Sequence, residues 1–243
     1  MSSMANTKTV IVTGASQGIG AAVVHAFLDR GYCVVGTSRS FSGSGFAAAP
    51  KLALVDGDIG LVATAEAVVQ AAREKFGTID HVVHCAGIFS SKPFTDYSIE
   101  EFRSLVSVNL EGFILLTQRA VRQMLSQGTG GSVTSITAAL ADNPIAASPA
   151  SLPMITKGGL DAAILSLASE YAKQNIRFNA VAPGVVDTPL NQNAPRDVMR
   201  ARSPMGTIAE PQDIAEAVVY LTEARYVTGE VLHVDGGAHA GQW

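Results

Sequence analysis

The stretch KTVIVTGASQGIGAAVVHAFLDRG, residues 8–31, decides the fold of this chain. Residues 8–13 form a short β-branched run that predicts a buried strand. Residues 18–31 have the apolar spacing of a helix, with a glycine just past its end. A strand that runs directly into a helix is the beginning of a β-α-β unit. The stretch therefore predicts that the chain starts a parallel sheet.

The turn between this strand and this helix is rich in glycine, in the spacing G-x3-G-x-G rather than the commoner G-x-G-x-x-G. Such a turn lets the backbone approach a pyrophosphate, and the helix N-terminus adds amide donors and a positive dipole. The alternative is a turn with a purely structural role. The loop expected to hold the pyrophosphate of a dinucleotide consists of Gly14, Ser16, Gln17, Gly18, Ile19 and Gly20.

The second predicted strand, 32–38, ends at the position that distinguishes the two nicotinamide dinucleotides. An acidic residue there would bind a ribose 2′-hydroxyl, whereas this chain has Ser38 and Arg39. A guanidinium suits a 2′-phosphate, so NADP is expected and NAD less so. The alternative is that Arg39 is a solvated loop residue. Asp58 and Ile59, after the third strand, are expected to border the adenine.

Strand-like and helical patterns alternate along the rest of the chain. The strands are expected at 8–13, 32–38, 51–58, 79–87, 130–137, 175–184 and 229–237. The helices are expected at 18–31, 61–77, 99–127 (with a bend near Gly112), 153–174 and 211–224. This order predicts an α/β fold: a Rossmann-like, doubly wound parallel sheet of about seven strands in a three-layer αβα sandwich. No linker or repeat interrupts it, so one domain over residues 1–243 is expected.

Composition excludes several classes of function. The chain has 243 residues, 47% of them hydrophobic, and a net charge of −4, so nothing suggests nucleic-acid binding. Its apolar runs are too short for a membrane span. The leader MSSMANTKT has no apolar region of the signal-peptide kind, which predicts a cytoplasmic protein. The five histidines form no ligand cluster, so no metal site is expected.

Several segments resemble the short-chain dehydrogenase/reductase family, and the likeness covers nearly the whole chain. TGASQGIG looks like the cofactor loop of that family, HCAG (84–87) like its N-N-A-G motif, and SVNLEG (107–112) like its asparagine segment. NAVAPGVVDTPL (179–190) resembles the segment that meets the nicotinamide carboxamide. The resemblance implies cofactor contacts from Ala86, Gly87, Lys157, Pro183, Gly184, Val186 and Thr188. It also implies Asn109 and Lys157 as catalytic residues, and a homotetramer or homodimer.

The expected catalytic centre departs from the family pattern at two positions. The serine that closes the fifth strand aligns with Ala138, after Thr137. The Y-x-x-x-K motif aligns with PMITK, so Pro153 stands in place of the tyrosine while Lys157 is kept. Proline has no dissociable proton, and a positioned general acid contributes about 10²–10⁴-fold to a rate. The sequence offers no convincing replacement among Thr137, Ser148, Ser151, Asp142, Tyr97 and His84.

Two functions remain open at this point. The first is an NADPH-preferring oxidoreductase with an altered proton path, acting on a small carbonyl, imine or activated alkene under a substrate flap at about 188–207. An iminium carbon, for example, accepts hydride without an acid at oxygen. The second is a non-catalytic NADP-binding sensor, or a silent subunit of an oligomer.

Overall fold

The computed structural model describes residues 7–241, so most of the polar leader and the terminal Trp243 lie outside the described residues. Seven parallel strands form one sheet in the order β3-β2-β1-β4-β5-β6-β7. The strands are β1 Thr9–Thr13, β2 Cys33–Ser38, β3 Leu52–Asp56, β4 His81–His84, β5 Gly131–Ile136, β6 Ile176–Pro183 and β7 Val231–Val234. This is the predicted Rossmann-like arrangement, and the prediction of fold class is confirmed.

Helices cover both faces of the sheet, and each face has its own apolar core. α2, α4 and α5 pack on one face around Ile79, Leu116 and Phe178, while α1 and α7 pack on the other around Phe27 and Leu221. The helices are α1 Gly18–Asp29, α2 Val62–Phe76, α3 Ile99–Val106, α4 Gly112–Gln127, α5 Ser151–Tyr171, α6 Arg196–Arg200 and α7 Pro211–Glu223. Because β1 is covered on both sides, every residue of it is buried, which explains its continuous apolar run.

The predicted helix over 99–127 is interrupted in the structure. α3 and α4 are separated by a π-helical turn, Ser107–Glu111, which contains Asn109. π-Turns of this kind are rare and are found mostly at functional sites. The bend was expected near Gly112, which presses closely on Ile59: a Cβ at this glycine would lie 2.9 Å from Ile59 Cγ2.

The last five observed strands, β3 to β7, end before the predicted carboxyl ends, whereas β1 and β2 end where they were predicted to end. The fourth strand was expected over 79–87, but β4 ends at His84 because the chain then turns toward the glycine loop, where the Ala86 amide donates to Thr13 Oγ1 (3.0 Å). The sequence pattern also missed α6, a single short helix within 188–207. No helix in residues 7–241 is long and apolar enough to span a bilayer.

Candidate active site

The glycine loop lies where the strand order reverses, between β1 and β4, which in open α/β sheets is the place where ligands bind. Gly14 has φ +64°, and a Cβ there would meet the backbone nitrogen of Ala86 at 2.8 Å. A Cβ on Gly20 would lie 2.1 Å from the carbonyl oxygen of Gly14. Neither position accepts any other residue without movement of the backbone. The loop is therefore held tightly against the segment that follows β4.

The first turn of α1 has free amide groups that point out of the helix. Gln17 is the N-cap, and its side chain makes no capping hydrogen bond. The helix begins at Gly18, where a Cβ would face the side chain of Thr188 at 3.3 Å. The N-terminal amides of a helix need an external partner, and an anion is favoured there by the dipole. The loop geometry therefore fits a bound phosphate group.

The Arg39 guanidinium lies just after the end of β2, and the two carboxylates at and just after the end of β3 each accept one backbone amide. Ser38 Oγ lies 2.7 Å from Ser16 Oγ, which ties the second strand to the glycine loop. Arg39 is exposed, and no ion pair within residues 7–241 includes it. The Asp56 carboxylate accepts the Phe41 amide (3.0 Å), so this acid is already engaged. The Asp58 carboxylate accepts the Gly60 amide (2.9 Å).

Asn109, in the π-turn, joins two segments through its side chain. Its Oδ1 accepts the Ile88 amide (2.9 Å), and its Nδ2 donates to the Ile88 carbonyl (3.1 Å) and to Thr156 Oγ1 (2.9 Å). Thr156 in turn donates to the carbonyl of Pro153 (2.7 Å). Both amide hydrogens of Asn109 are thereby used. The residue clamps the segment after β4 to the first turn of α5.

Lys157 is half-buried below the end of β5, with its ammonium turned away from solvent. Its Nζ donates to the carbonyl oxygen of Ile136 at 2.6 Å and faces Gly87, where a Cβ would lie 3.3 Å from it. Burial lowers the pKa of this ammonium to about 8, against the opposing influence of Asp161 and the Cys85 thiol. The group is therefore a cation at neutral pH that loses its proton in mildly alkaline solution.

Pro153 lies in the first turn of α5, which begins at Ser151 rather than at 153 as predicted. An amide at this position would have no partner within the helix, so the proline causes no loss of a backbone hydrogen bond. Pro153 and Lys157 are four residues apart and therefore lie on one face of the helix. Ala138 starts a 3-10 turn after β5, and the Thr137 hydroxyl beside it donates to the Val181 carbonyl (3.4 Å).

Three of the six side chains weighed as replacement proton donors have polar partners elsewhere in the protein, whereas a fourth, Thr137, is a neighbour of Lys157 in the lining of the cavity. His84 Nε2 lies 2.9 Å from Thr117 Oγ1, and burial lowers the pKa of this imidazole to about 3, so it is neutral. The Tyr97 hydroxyl donates to the Ser90 carbonyl (2.8 Å). Asp142 Oδ2 lies 3.1 Å from His233 Nε2. None of these three groups lies among the residues that line the cavity described below.

Asp161 is a polar residue of this region that the sequence pattern did not single out. It lies one helical turn beyond Lys157, and neither of its buried carboxylate oxygens has a hydrogen-bond partner of normal geometry within residues 7–241. Burial raises the pKa of this carboxyl to about 6, more than the nearby Thr137 hydroxyl and Lys157 lower it. The spacing of four from Lys157 was the available signal.

Replacement of Asp161 by asparagine is expected to stabilise the protein above pH 6. The folded-state pKa of about 6 exceeds the ordinary value of 3.8, so the folded state binds the extra proton and its stability falls as the pH rises between these values. Allowing for partial solvent screening, the gain at pH 8 is about 1 kcal/mol. Denaturant unfolding at pH 4 and pH 8 measures it. Equal stability of both proteins at pH 8 would contradict this reading of Asp161.

A cavity of about 220 Å³ opens beyond the carboxyl ends of β4, β5 and β6. The predicted residues that line it are Ile19, Gly87, Lys157, Pro183, Gly184, Val186 and Thr188. Asn109, Ile59 and Ala86 line a separate small void instead. A larger, more open groove between α2 and α4, of about 820 Å³, contains none of the predicted residues.

Within residues 7–241 no three His, Cys, Asp or Glu side chains are grouped so that they could hold a metal ion.

Comparisons with known proteins agree with this geometry. The family model described as enoyl-(acyl carrier protein) reductase matches residues 14–239. An L-rhamnose 1-dehydrogenase (NAD(P)(+)) of Azotobacter vinelandii is 37% identical, over 95% of this chain and 96% of that protein. The solved structure of a 3-ketoacyl-(acyl-carrier-protein) reductase from Brucella melitensis, complexed with NADH, superposes with TM-score 0.90 at 29% identity, covering 98% of this chain and all of that one.

A short-chain type dehydrogenase/reductase from Mycobacterium marinum superposes with TM-score 0.88 at 26% identity, covering 96% of each chain. The likeness extends over the glycine loop, the π-turn, α5 and the segment after β6, because each comparison covers nearly the whole length. This chain belongs to the short-chain dehydrogenase/reductase family of NAD(P)-dependent oxidoreductases.

Proposed function

We propose that this protein is an NADPH-preferring oxidoreductase that reduces a small carbonyl, imine or activated alkene at an atypical catalytic site. The observation that carries the proposal is the placement of Lys157. Its buried ammonium faces Gly87 at the wall of a cavity shared with the glycine-loop residue Ile19. The relatives named above, a sugar dehydrogenase and a ketoacyl reductase, support chemistry between an alcohol and a carbonyl.

The residues of this chain fit a nicotinamide dinucleotide. The glycine loop has a tight turn that only glycine allows, because Cβ atoms at Gly14 and Gly20 would strike backbone, and the free amides of α1 suit the charge of a pyrophosphate. When bound, the cofactor supplies a hydride at its nicotinamide ring. The proposed contacts are Gly14, Ser16, Gln17, Gly18, Ile19, Gly20, Ser38, Arg39, Asp58, Ile59, Ala86, Gly87, Lys157, Pro183, Gly184, Val186 and Thr188.

The proton path is the altered part of the proposed site. Pro153 and Ala138 stand where the family pattern has a tyrosine and a serine, so neither position can donate to a substrate oxygen. The side chain of Asn109 has no amide hydrogen left to hold a water molecule that could pass a proton to the substrate, because both amide hydrogens are bonded to protein. Among the residues that the structure describes, Lys157 is the cation that lies against Gly87. A substrate such as an iminium ion, which needs no proton at the reacting centre, suits this set of residues best.

We propose that the segment 188–207 is a substrate flap over the cavity. It contributes Leu190, Asn191 and Arg202 to the lining. The ion pair between Arg196 and Asp187 (2.7 Å) ties its middle to the end of β6. A segment that is attached at one side and lines a cavity at the other is suited to open and close over a ligand.

Arg39 is expected to set the preference for NADPH. Its exposed guanidinium would pair with a 2′-phosphate, so Arg39→Ala should weaken NADPH binding by about 10- to 100-fold and leave NADH binding within about twofold. Calorimetry with both cofactors measures this. Arg30→Ala is the control, because that guanidinium donates to the Ala26 carbonyl at the end of α1. Equal losses for NADH and NADPH would contradict the assignment.

The test of the proposed function is oxidation of NADPH by purified protein with panels of ketones, imines and enones. Turnover above background supports an enzyme. NADPH binding without turnover on any panel would favour the second candidate, a non-catalytic NADP-binding sensor or silent subunit. The engagement of His84, Tyr97 and Asp142 by protein partners is the observation that favours this alternative. Failure to bind either cofactor would end both proposals.

We also propose that the protein assembles as a homotetramer or homodimer. Four large apolar side chains on α4 and α5 are exposed in the single chain: Ile114, Leu125, Ile155 and Leu165. Surfaces of this kind are commonly covered by another copy of the chain. Sedimentation velocity reports the assembly.

A further inference from the structure

The cavity at the carboxyl ends of the strands is mostly apolar. The side chains that could meet the body of a substrate include Ile88, Phe89, Leu140, Ile145, Val185 and Leu190. No aspartate or glutamate is among the lining residues. A ligand with many hydroxyl groups would lose hydrogen bonds to water here without replacing them, which is costly. The walls therefore select an apolar substrate body.

Arg202 is the only cation of the lining apart from Lys157. Its environment differs from that of the other two arginines on the proposed flap, residues 188–207. Arg196 pairs with Asp187 at 2.7 Å, and Arg200 pairs with Asp197 at 3.4 Å. Arg202 is half-buried, and no ion pair or side-chain hydrogen bond within residues 7–241 includes its guanidinium. The protein thus satisfies two neighbouring guanidinium groups and leaves the third free at the cavity.

Asn143 lies in the same lining and also has an unused side chain. Its backbone amide donates to the Ala139 carbonyl (3.0 Å), while its side-chain amide makes no hydrogen bond within the described residues. A partly desolvated guanidinium is favourable only with an anionic partner, and a carboxylate matches its two parallel donors. Two donor side chains without a protein partner among the described residues, one of them charged, therefore face a cavity whose walls are mostly apolar.

We propose that the substrate is an apolar ketone, imine or alkene that carries a carboxylate group, and that Arg202 binds this carboxylate. This inference rests on the proposed function, because it assigns a substrate class to the same cavity. Arg202 is a specificity residue here: it holds the anionic end, while the reacting group lies toward Lys157. The side-chain amide of Asn143 is the second donor to the carboxylate.

Binding without turnover gives the first test. Cyclohexanecarboxylate and cyclohexanecarboxamide have the same apolar body and differ in charge, and neither can be reduced at a ketone. Titrated into protein saturated with NADP⁺, the carboxylate should bind about 10- to 100-fold more tightly than the amide. Arg202→Ala should remove this difference, Arg202→Lys should keep part of it, and Arg225→Ala, an exposed arginine outside the flap, should not alter it. Equal affinity of wild-type protein for both ligands overturns the proposal.

Turnover gives the second test, and it distinguishes failure of the proposed carboxylate site from failure of the proposed enzyme function. The methyl ester of 4-oxocyclohexanecarboxylate is the neutral match of the free acid. The acid should be reduced with a KM about 10- to 100-fold lower, and Arg202→Ala should raise that KM with little change in kcat. Reduction of both ketones with equal KM overturns the inference while the enzyme function stands. Charge-selective binding that depends on Arg202, with no reduction of either ketone, supports the carboxylate site and counts against the enzyme.

Discussion

Pro153→Tyr combined with Ala138→Ser is expected to raise the rate of NADPH-dependent ketone reduction by about 10²–10⁴-fold. Residue 153 lies one helical turn before Lys157 on the same face of α5, so the new phenol would stand beside a buried ammonium. A nearby cation lowers the pKa of a phenol and makes it a better proton donor at neutral pH. The new serine hydroxyl at 138 would hold the substrate oxygen.

The fold is expected to tolerate this change. Residue 153 is in the first turn of α5, where a restored amide needs no partner within the helix. The matched control is Pro153→Phe with Ala138→Ser, which has the same ring without the hydroxyl. Steady-state rates on one ketone, with melting temperatures of all three proteins, form the measurement. If the phenylalanine protein gained as much as the tyrosine protein, the lost proton donor would not be what limits the natural site.

The architecture could be predicted from the sequence because its determinants are local. The stretch 8–31 fixed a strand, a turn and a helix, and the alternation of later patterns fixed the number of parallel strands. Backbone sterics explain why the glycines were informative: a Cβ on Gly20 would meet the carbonyl of Gly14, so this residue type reports the turn directly. The bend near Gly112 was expected for the same reason, although not the π-turn before it.

The chemistry of the site could be predicted only in part because it depends on which side chains find partners. Nothing in the order of residues separates Arg202 from Arg196 and Arg200; their difference arises when α6 places two of them beside aspartates. Asp161 likewise became notable only once burial left its carboxylate without a donor. The family resemblance implied Asn109 as a catalytic residue, and only the structure shows that its amide hydrogens bond to Ile88 and Thr156. Cofactor preference and the roles of the individual site residues remain predictions.

Lys157→Met is expected to abolish turnover and at the same time to remove the destabilising effect of a buried charge at neutral pH. Methionine keeps much of the length of lysine but removes the ammonium that faces Gly87, and each lost hydrogen bond from a charged group costs about 1.5–3 kcal/mol. Cofactor-dependent turnover should fall at least about 100-fold if two such bonds to a bound ligand are lost. The control is Lys173, an exposed lysine directly after the end of α5. Lys173→Met should leave turnover unchanged.

The effect on stability follows from the pKa of Lys157. Burial lowers it from 10.5 to about 8, so the unfolded state binds more protons between these values, and stability rises with pH across that window. Below pH 8 the natural protein carries the full cost of the buried charge, whereas above about pH 10.5 the amine is neutral and the lost bond to Ile136 is the remaining difference. The stability of the methionine protein relative to the natural protein should therefore be about 1–3 kcal/mol higher at pH 7 than at pH 10.5. Chemical denaturation of both proteins at pH 7 and pH 10.5 measures this. A residue retained for packing alone would lower stability by the same amount at both pH values when it is replaced. A methionine protein with such a pH-independent loss of stability and full activity would show that Lys157 belongs to the fold and not to the site.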